Sequence, residues 1–132
     1  MGQEYRRTAN TVSLINYHFV FCARYRRKVF VKQVEIRFKE ILEKICQEND
    51  WHILALGVMS DHVHLFMNCL PTHSPSDVMA KVKGVTSRIL RQEFEHLAHL
   101  PSLWTRSYFV STAGNVSSET VKRYVEEQKK RG

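Results

Sequence analysis

The sequence predicts an α+β fold: an antiparallel sheet with the element order β-α-β-β-α-β, followed by one further helix. Segments rich in β-branched and aromatic residues alternate with segments whose apolar residues recur at helical spacing. Two of the strand segments are separated by only two residues. No repeat or linker divides the 132 residues, so residues 1–132 are expected to form one domain. This element order is that of ferredoxin-like and RRM-like domains, a fold that hosts many functions.

The first half of the pattern is a strand followed by a helix. Residues 11–23 (TVSLINYHFVFCA) are rich in β-branched and aromatic types and predict a long strand. After a basic turn, residues 31–50 predict a helix that Asn49 and Asp50 end. Its apolar residues fall on one face: Val34, Phe38, Ile41, Leu42 and Ile45.

The middle of the chain predicts a tight antiparallel hairpin. Residues 51–59 (WHILALGVM) and 62–68 (HVHLFMN) both have the composition of strands. Only Ser60 and Asp61 separate them, which is the length of a two-residue hairpin turn.

A helix, a strand and a last helix complete the pattern. Ser76 or Asp77 is predicted to cap a helix that runs to about Leu97. Residues 104–112 (WTRSYFVST) predict the fourth strand, and residues 118–130 (SETVKRYVEEQKK) predict the last helix. Two helices would cover one face of the sheet and leave the other face open.

The composition and the net charge predict a basic protein of the cytoplasm. No apolar run approaches the length of a membrane span, and the N-terminus MGQEYRRT lacks the apolar segment of a signal peptide. The three cysteines lie far apart in apolar surroundings, as reduced, buried thiols do. The formal net charge of +7 favours a polyanionic partner such as nucleic acid.

Two histidines in the third strand form the first candidate site. Because side chains alternate along a strand, Val63, Leu65 and Met67 should face the helices, while His62, His64 and Phe66 face the open side. Imidazoles at i and i+2 are about 6–7 Å apart at Cα and can converge on one metal ion. The alternative is a pair of exposed histidines on a solvated strand. No third histidine stands in a motif, although His18 can lie on the open face.

The last helix carries the second candidate pair. Tyr124 and Gln128 are four residues apart and therefore lie one turn apart on the same helix face. A glutamine carbonyl can bind a hard metal ion, and a tyrosine beside it can act as a nucleophile. The alternative is a tyrosine in an ordinary apolar stripe with Val121 and Val125.

These motifs, in this order, resemble those of the small IS200/IS605-type transposases, single-tyrosine (Y1) members of the HUH nuclease superfamily. His62-Val63-His64 matches the HUH motif (histidine, hydrophobic residue, histidine), and Tyr124 with Gln128 matches the Y-x-x-x-Q tyrosine helix. The segments NYHFVF and LWTRSYFVSTAGNVSSE are also similar, so that the resemblance runs from about residue 12 to residue 128. One departure is Ser60, where family members often have proline.

The resemblance implies a mechanism and a set of partners. His62, His64 and Gln128 would bind Mg²⁺ or Mn²⁺, and Tyr124 would attack single-stranded DNA to form a 5′-phosphotyrosine and a free 3′-OH. A second 3′-OH would then rejoin the strands. The DNA would carry subterminal hairpins, and the prokaryotic protein would be a homodimer whose active sites are shared between subunits. Candidate phosphate contacts are Arg24, Arg26, Arg27, Lys28, Lys83, Arg88 and Arg91.

The sequence is also compatible with three other functions. The first is a non-catalytic, RRM-like nucleic-acid-binding module, although the chain has no RNP-like motif. The second is a replication or relaxase-type HUH nuclease, which usually is longer and often has a third histidine. The third is a domesticated HUH nuclease that acts at chromosomal repeats.

Overall fold

The main sheet is antiparallel throughout and has the strand order that the ferredoxin-like arrangement requires. The computed structural model describes residues 3–113 together with residues 123, 126 and 127. Within this part of the chain the strands of the main sheet are β3 (Ile15–Cys22), β4 (His52–Val58), β5 (His62–Cys69) and β6 (Phe109–Ala113), in the order β4-β5-β3-β6. They are preceded by a small sheet of β1 (Arg6–Arg7) and β2 (Val12–Ser13). The helices are α1 (Lys32–Asn49) and α2 (Pro75–Glu93). The predicted α+β fold is thus confirmed.

The core lies between the main sheet and the two helices. Val63, Leu65 and Met67 of β5 are fully buried in it, as the alternation along the strand predicts. Their neighbours on β3 and on the helices include Phe19, Phe21, Phe38, Leu42, Val82 and Leu90. The opposite face of β5 carries His62, His64 and Phe66, and this face is the one that the helices α1 and α2 leave open.

Helix α2 begins earlier and ends earlier than the sequence predicts. Its N-cap is Ser74, whose Oγ accepts a hydrogen bond from the backbone N–H of Asp77 (3.1 Å), so the prediction of Ser76 or Asp77 is wrong. Pro75 then occupies the first helical position, where its missing N–H costs nothing. The helix ends at Glu93 because Phe94 adopts extended dihedral angles, and residues 95–97 form a separate 3₁₀ turn.

The strand predicted from residue 104 begins only at Phe109. Trp104 forms an isolated bridge with Ala23, and its indole N–H donates to Thr86 Oγ1 (3.0 Å) on α2. The following segment is held to α2 by Lys83, whose Nζ donates to the carbonyls of Thr105 (2.6 Å) and Arg106 (3.2 Å). The backbone on either side of Trp104 still bonds to the end of β3, because Thr105 N–H donates to the carbonyl of Cys22 (3.0 Å) and Arg24 N–H donates to that of Leu103 (2.9 Å). Regular pairing is therefore interrupted between this bridge and Phe109.

The predicted last helix lies mostly outside the described residues. Arg123, Glu126 and Glu127 are helical, as expected, whereas Tyr124 and Gln128 are outside the described part of the chain. Among the residues that the structure describes, no helix has the length and apolar character needed to cross a membrane.

Candidate functional site

The register between β3 and β5 builds the candidate site. His62 lies opposite Cys22, His64 opposite Val20 and Phe66 opposite His18. Residues that lie opposite each other in an antiparallel pair share one face, so His18 joins His62 and His64 on the open face of the sheet. His18 is the diagonal neighbour of His64, within reach of its ring.

His62 is held by a carboxylate at the hairpin turn. Its Nδ1 lies 2.7 Å from Asp61 Oδ1, while Asp61 Oδ2 accepts a hydrogen bond from Arg26 Nε at 3.0 Å. The hydrogen bond from His62, together with Arg26, lowers the pKa of Asp61, which is therefore ionised at neutral pH. An ionised carboxylate accepts the Nδ1 proton and leaves Nε2 of His62 as the ligating nitrogen.

His64 is held by another histidine. Its Nδ1 lies 3.1 Å from His18 Nε2, and burial, with smaller contributions from His18 and His62, lowers the pKa of His64 to about 4. Burial also lowers the pKa of His18. Both rings are therefore neutral at neutral pH. If Nδ1 of His64 carries the shared proton and His18 Nε2 accepts it, Nε2 of His64 is the nitrogen that would bind a metal ion.

His18 is a member of the candidate site that the sequence alone did not single out. The strand alternation already allowed it on the open face, but the register that brings it to His64 was needed to show the contact. Its ring also stacks on Phe66, with centroids 4.0 Å apart, and meets the edge of Phe109 at 5.8 Å. These contacts fix the ring that in turn orients His64.

The imidazole nitrogens of His62 and His64 are suitable ligands for a divalent cation. The rings of His62 and His64 have centroids 5.3 Å apart, and a metal ion requires the neutral form of imidazole that His64 has. The described residues contain no group of three or more His, Cys, Asp or Glu side chains that could hold a metal ion. They supply two ligands, and the predicted third ligand, Gln128, lies outside them, as does Tyr124.

The predicted phosphate contacts fall into two groups. Arg24, Arg26, Arg27 and Lys28 lie on the turn after β3, where Arg26 pairs with Asp61. The other three lie on α2, on the helical side of the sheet: Lys83, Arg88 and Arg91. Two of them already bond to protein, because Lys83 donates to the carbonyls of Thr105 and Arg106 and Arg91 Nη1 donates to that of Leu100 (3.1 Å).

A cleft of about 430 Å³ brings members of both groups together. It is lined by Arg24 from the turn after β3, by Lys83 and Arg91 from α2, and by Arg106. Burial lowers the pKa of Lys83. The side chain of Arg88 is exposed and lies in a different groove, between α1 and α2.

Comparison with known proteins gives one consistent result. The model of the family described as "Transposase IS200 like" matches residues 11–128. The ISDra2 transposase TnpA of Deinococcus radiodurans is 28% identical over 95% of this chain and 91% of its own length. The IS200 transposase of Salmonella typhimurium is 31% identical over 98% of this chain and 88% of its own.

Solved structures agree in fold. A structure from Deinococcus radiodurans R1, assigned to a transposase, matches 93% of this chain and 97% of that chain, with a TM-score of 0.76 and 32% identity. A REP-associated tyrosine transposase bound to a REP hairpin matches 94% of this chain and 68% of that chain, with a TM-score of 0.55. At 17% identity the second likeness shows the fold alone.

The lowered pKa of His64 predicts a loss of stability in acid. Between the ordinary pKa of 6.5 and about 4, the unfolded chain binds more protons than the folded chain, so the free energy of unfolding falls as the pH falls. The contribution of His64 is about 3 kcal/mol, lost between neutral pH and pH of about 4. Urea unfolding in EDTA should show a shallower pH dependence for His64→Asn than for wild type. Equal slopes for the two proteins would contradict the assignment.

The hydrogen bond from His62 to Asp61 predicts a role for this carboxylate in metal affinity. Asp61→Asn keeps the size of the side chain but weakens the acceptor, and loss of such a partner typically lowers metal affinity about 10- to 100-fold. Calorimetric titration with Mn²⁺ measures the effect. The matched control is Asp50→Asn, which removes an exposed carboxylate paired with Arg6 near the opposite end of β5. Equal Mn²⁺ affinity in Asp61→Asn and wild type would refute the role.

Proposed function

Because the chain belongs to the IS200-like transposase family, we propose that it cleaves and rejoins single-stranded DNA through a covalent bond between Tyr124 and a 5′-phosphate. The observation that carries the proposal is the pair of His62 and His64 on the open face of the sheet. Each ring has a hydrogen-bond partner at Nδ1, Asp61 for His62 and His18 for His64, and a proton held on Nδ1 leaves Nε2 able to bind the ion. A non-catalytic, RRM-like module would have no use for this arrangement.

In the proposed site, His62, His64 and the side-chain oxygen of Gln128 hold Mg²⁺ or Mn²⁺. When bound, such an ion supplies electrostatic stabilisation of the negative charge that develops on the scissile phosphate. The protein orients the two imidazoles through Asp61 and His18, so little reorganisation is needed when DNA binds.

Tyr124 is the proposed nucleophile. Its oxygen attacks the phosphorus, the bond from phosphorus to the 3′ oxygen breaks, and a 5′-phosphotyrosine and a free 3′-OH result. Because the phosphotyrosine retains the energy of the broken bond, another 3′-OH can attack it and rejoin two strands without ATP. A transposase needs this reversibility, whereas a hydrolase does not.

The proposed DNA partner is a single strand with hairpins near the ends of the element. The formal net charge of +7 supports a polyanionic partner. A neighbour of the same fold has been solved with a REP hairpin. Identity is nevertheless higher to the IS200 transposase of Salmonella typhimurium, at 31%, than to that REP-associated neighbour, at 17%, which supports an insertion-sequence enzyme over a repeat-associated one.

The nucleophile is tested by the covalent adduct. Tyr124→Phe removes only the hydroxyl, so adduct formation with labelled single-stranded DNA should be abolished while DNA binding stays close to that of wild type. Denaturing gel electrophoresis resolves the adduct. Tyr5→Phe is the matched control, because Tyr5 is an exposed tyrosine outside the site. EDTA should abolish the adduct in both wild type and control. An adduct in Tyr124→Phe would disprove the nucleophile, and full activity in EDTA would disprove the metal site.

The shared active site of the proposed homodimer is tested by mixing two inactive variants. His64→Ala has an intact tyrosine and Tyr124→Phe has intact histidines. If the tyrosine helix serves the partner's histidines, a mixed dimer contains one complete site, and cleavage should recover after subunit exchange. If each subunit completes its own site, every site keeps one lesion and the mixture stays inactive. No recovery despite proven exchange would refute sharing.

A further inference from the structure

The turn after β3 presents an aromatic ring to solvent in a basic setting. Tyr25 is 75% exposed, which is the largest exposure of any large hydrophobic side chain among the described residues. The guanidinium carbons of Arg24 and Arg27 lie 5.6 Å and 5.8 Å from the centre of its ring. Within the described residues neither arginine forms an ion pair. An exposed aromatic ring bordered by cations is the arrangement with which proteins bind single-stranded nucleic acid, by stacking on bases and attracting phosphates.

The backbone of this turn is strained. Tyr25 has φ 58° and Arg26 has φ 53°, both in the left-handed region that side chains with a Cβ avoid. Glycine would relieve the strain at position 25, and the tyrosine ring has too little burial to compensate for it. A retained strained residue with an exposed side chain points to a function for that side chain.

The turn is tied to the histidine pair. Ala23 N–H donates to the carbonyl of Asp61 (2.8 Å), and the side chain of Arg26 pairs with the carboxylate that holds His62. Cys22, three residues before Tyr25, lies opposite His62 in the sheet. Three residues span at most about 11 Å, so Tyr25 is within a few nucleotides of a phosphate held by the histidines.

The other side of the turn leads into the basic cleft of about 430 Å³ that Arg24, Lys83 and Arg106 line. Arg26 thus contacts the carboxylate that holds His62, Arg24 lines the cleft, and Tyr25 lies between these two residues in the chain. From this geometry we propose that Tyr25 stacks on a base of the single DNA strand that passes from the histidine pair toward the basic cleft, with Arg24 and Arg27 contacting its phosphates. This inference rests on the proposed function, because it assumes that DNA lies at the histidine pair.

The test uses Tyr25→Gly in the full chain. Removal of the ring should weaken binding of a fluorescein-labelled oligothymidylate of about 16 nucleotides by about 5- to 100-fold, because stacking tolerates any base. Since glycine suits the left-handed backbone, the melting temperature should stay equal or rise. Tyr25→Phe, which keeps the ring, should bind within about two-fold of wild type. Tyr5→Gly removes an exposed tyrosine at the other end of the sheet and should bind like wild type.

Several results would overturn the inference. These are undiminished binding by Tyr25→Gly, an equal loss in Tyr5→Gly or in Tyr25→Phe, and no binding by wild type. A change in molecular mass of Tyr25→Gly by light scattering would also overturn it, since the ring would then contact a second copy of the chain.

The covalent adduct of wild type, measured in parallel, separates this inference from the proposed function. If wild type forms the adduct and Tyr25→Gly binds normally, the stacking role fails and the function stands. If wild type forms no adduct while Tyr25→Gly loses binding, the function fails and the stacking surface stands.

Discussion

The pairing of β3 with β5 is the constraint on which the rest of the structure depends. One ladder, from Ile15 opposite Cys69 to Cys22 opposite His62, sets both faces of the sheet at once. On the helical face it places Phe19 opposite Leu65 in the core, and on the open face it places His18 beside His64. A shift by one residue would turn the histidines into the core and the core residues out to solvent. Burial of the apolar face therefore fixes the position of the polar site.

The same ladder organises the far end of the open face. Asn16 lies opposite Asn68, and their side chains form a buried hydrogen bond of 2.9 Å. Arg6 bonds to Asn68 and to Asp50, and so attaches the N-terminal segment to the sheet. Buried amides need such partners, because a buried polar group without one destabilises the fold by more free energy than a typical hydrogen bond contributes. The open face thus has one polar cluster of amides at one end and one of imidazoles at the other.

The sequence predicts the elements and faces of this structure better than it predicts contacts between segments. Alternation in residues 62–67 was enough to place Val63 in the core and His64 on the open face, because that pattern is local. His18 and His64 are 46 residues apart in the chain, and their contact depends on the register between β3 and β5, which no local sequence pattern encodes. The interruption between the bridge at Trp104 and the start of β6 has the same origin, since Lys83 on α2 binds the carbonyls of residues 105–107. Counting basic residues likewise could not show that Lys83 and Arg91 already hold backbone carbonyls.

The two histidines of the pair are held by different partners because they differ in burial. His62 begins β5 beside the turn, where Asp61 can be ionised and shared with Arg26 at the surface. His64 is 7% exposed, and an ionised carboxylate beside it would lack solvent and would favour the protonated ring. A neutral histidine supplies the hydrogen bond without that charge, and Phe66, stacked on His18, keeps the ring in place. The site therefore keeps His64 neutral by burial and orients it with His18, so that protons compete weakly with a metal ion at neutral pH.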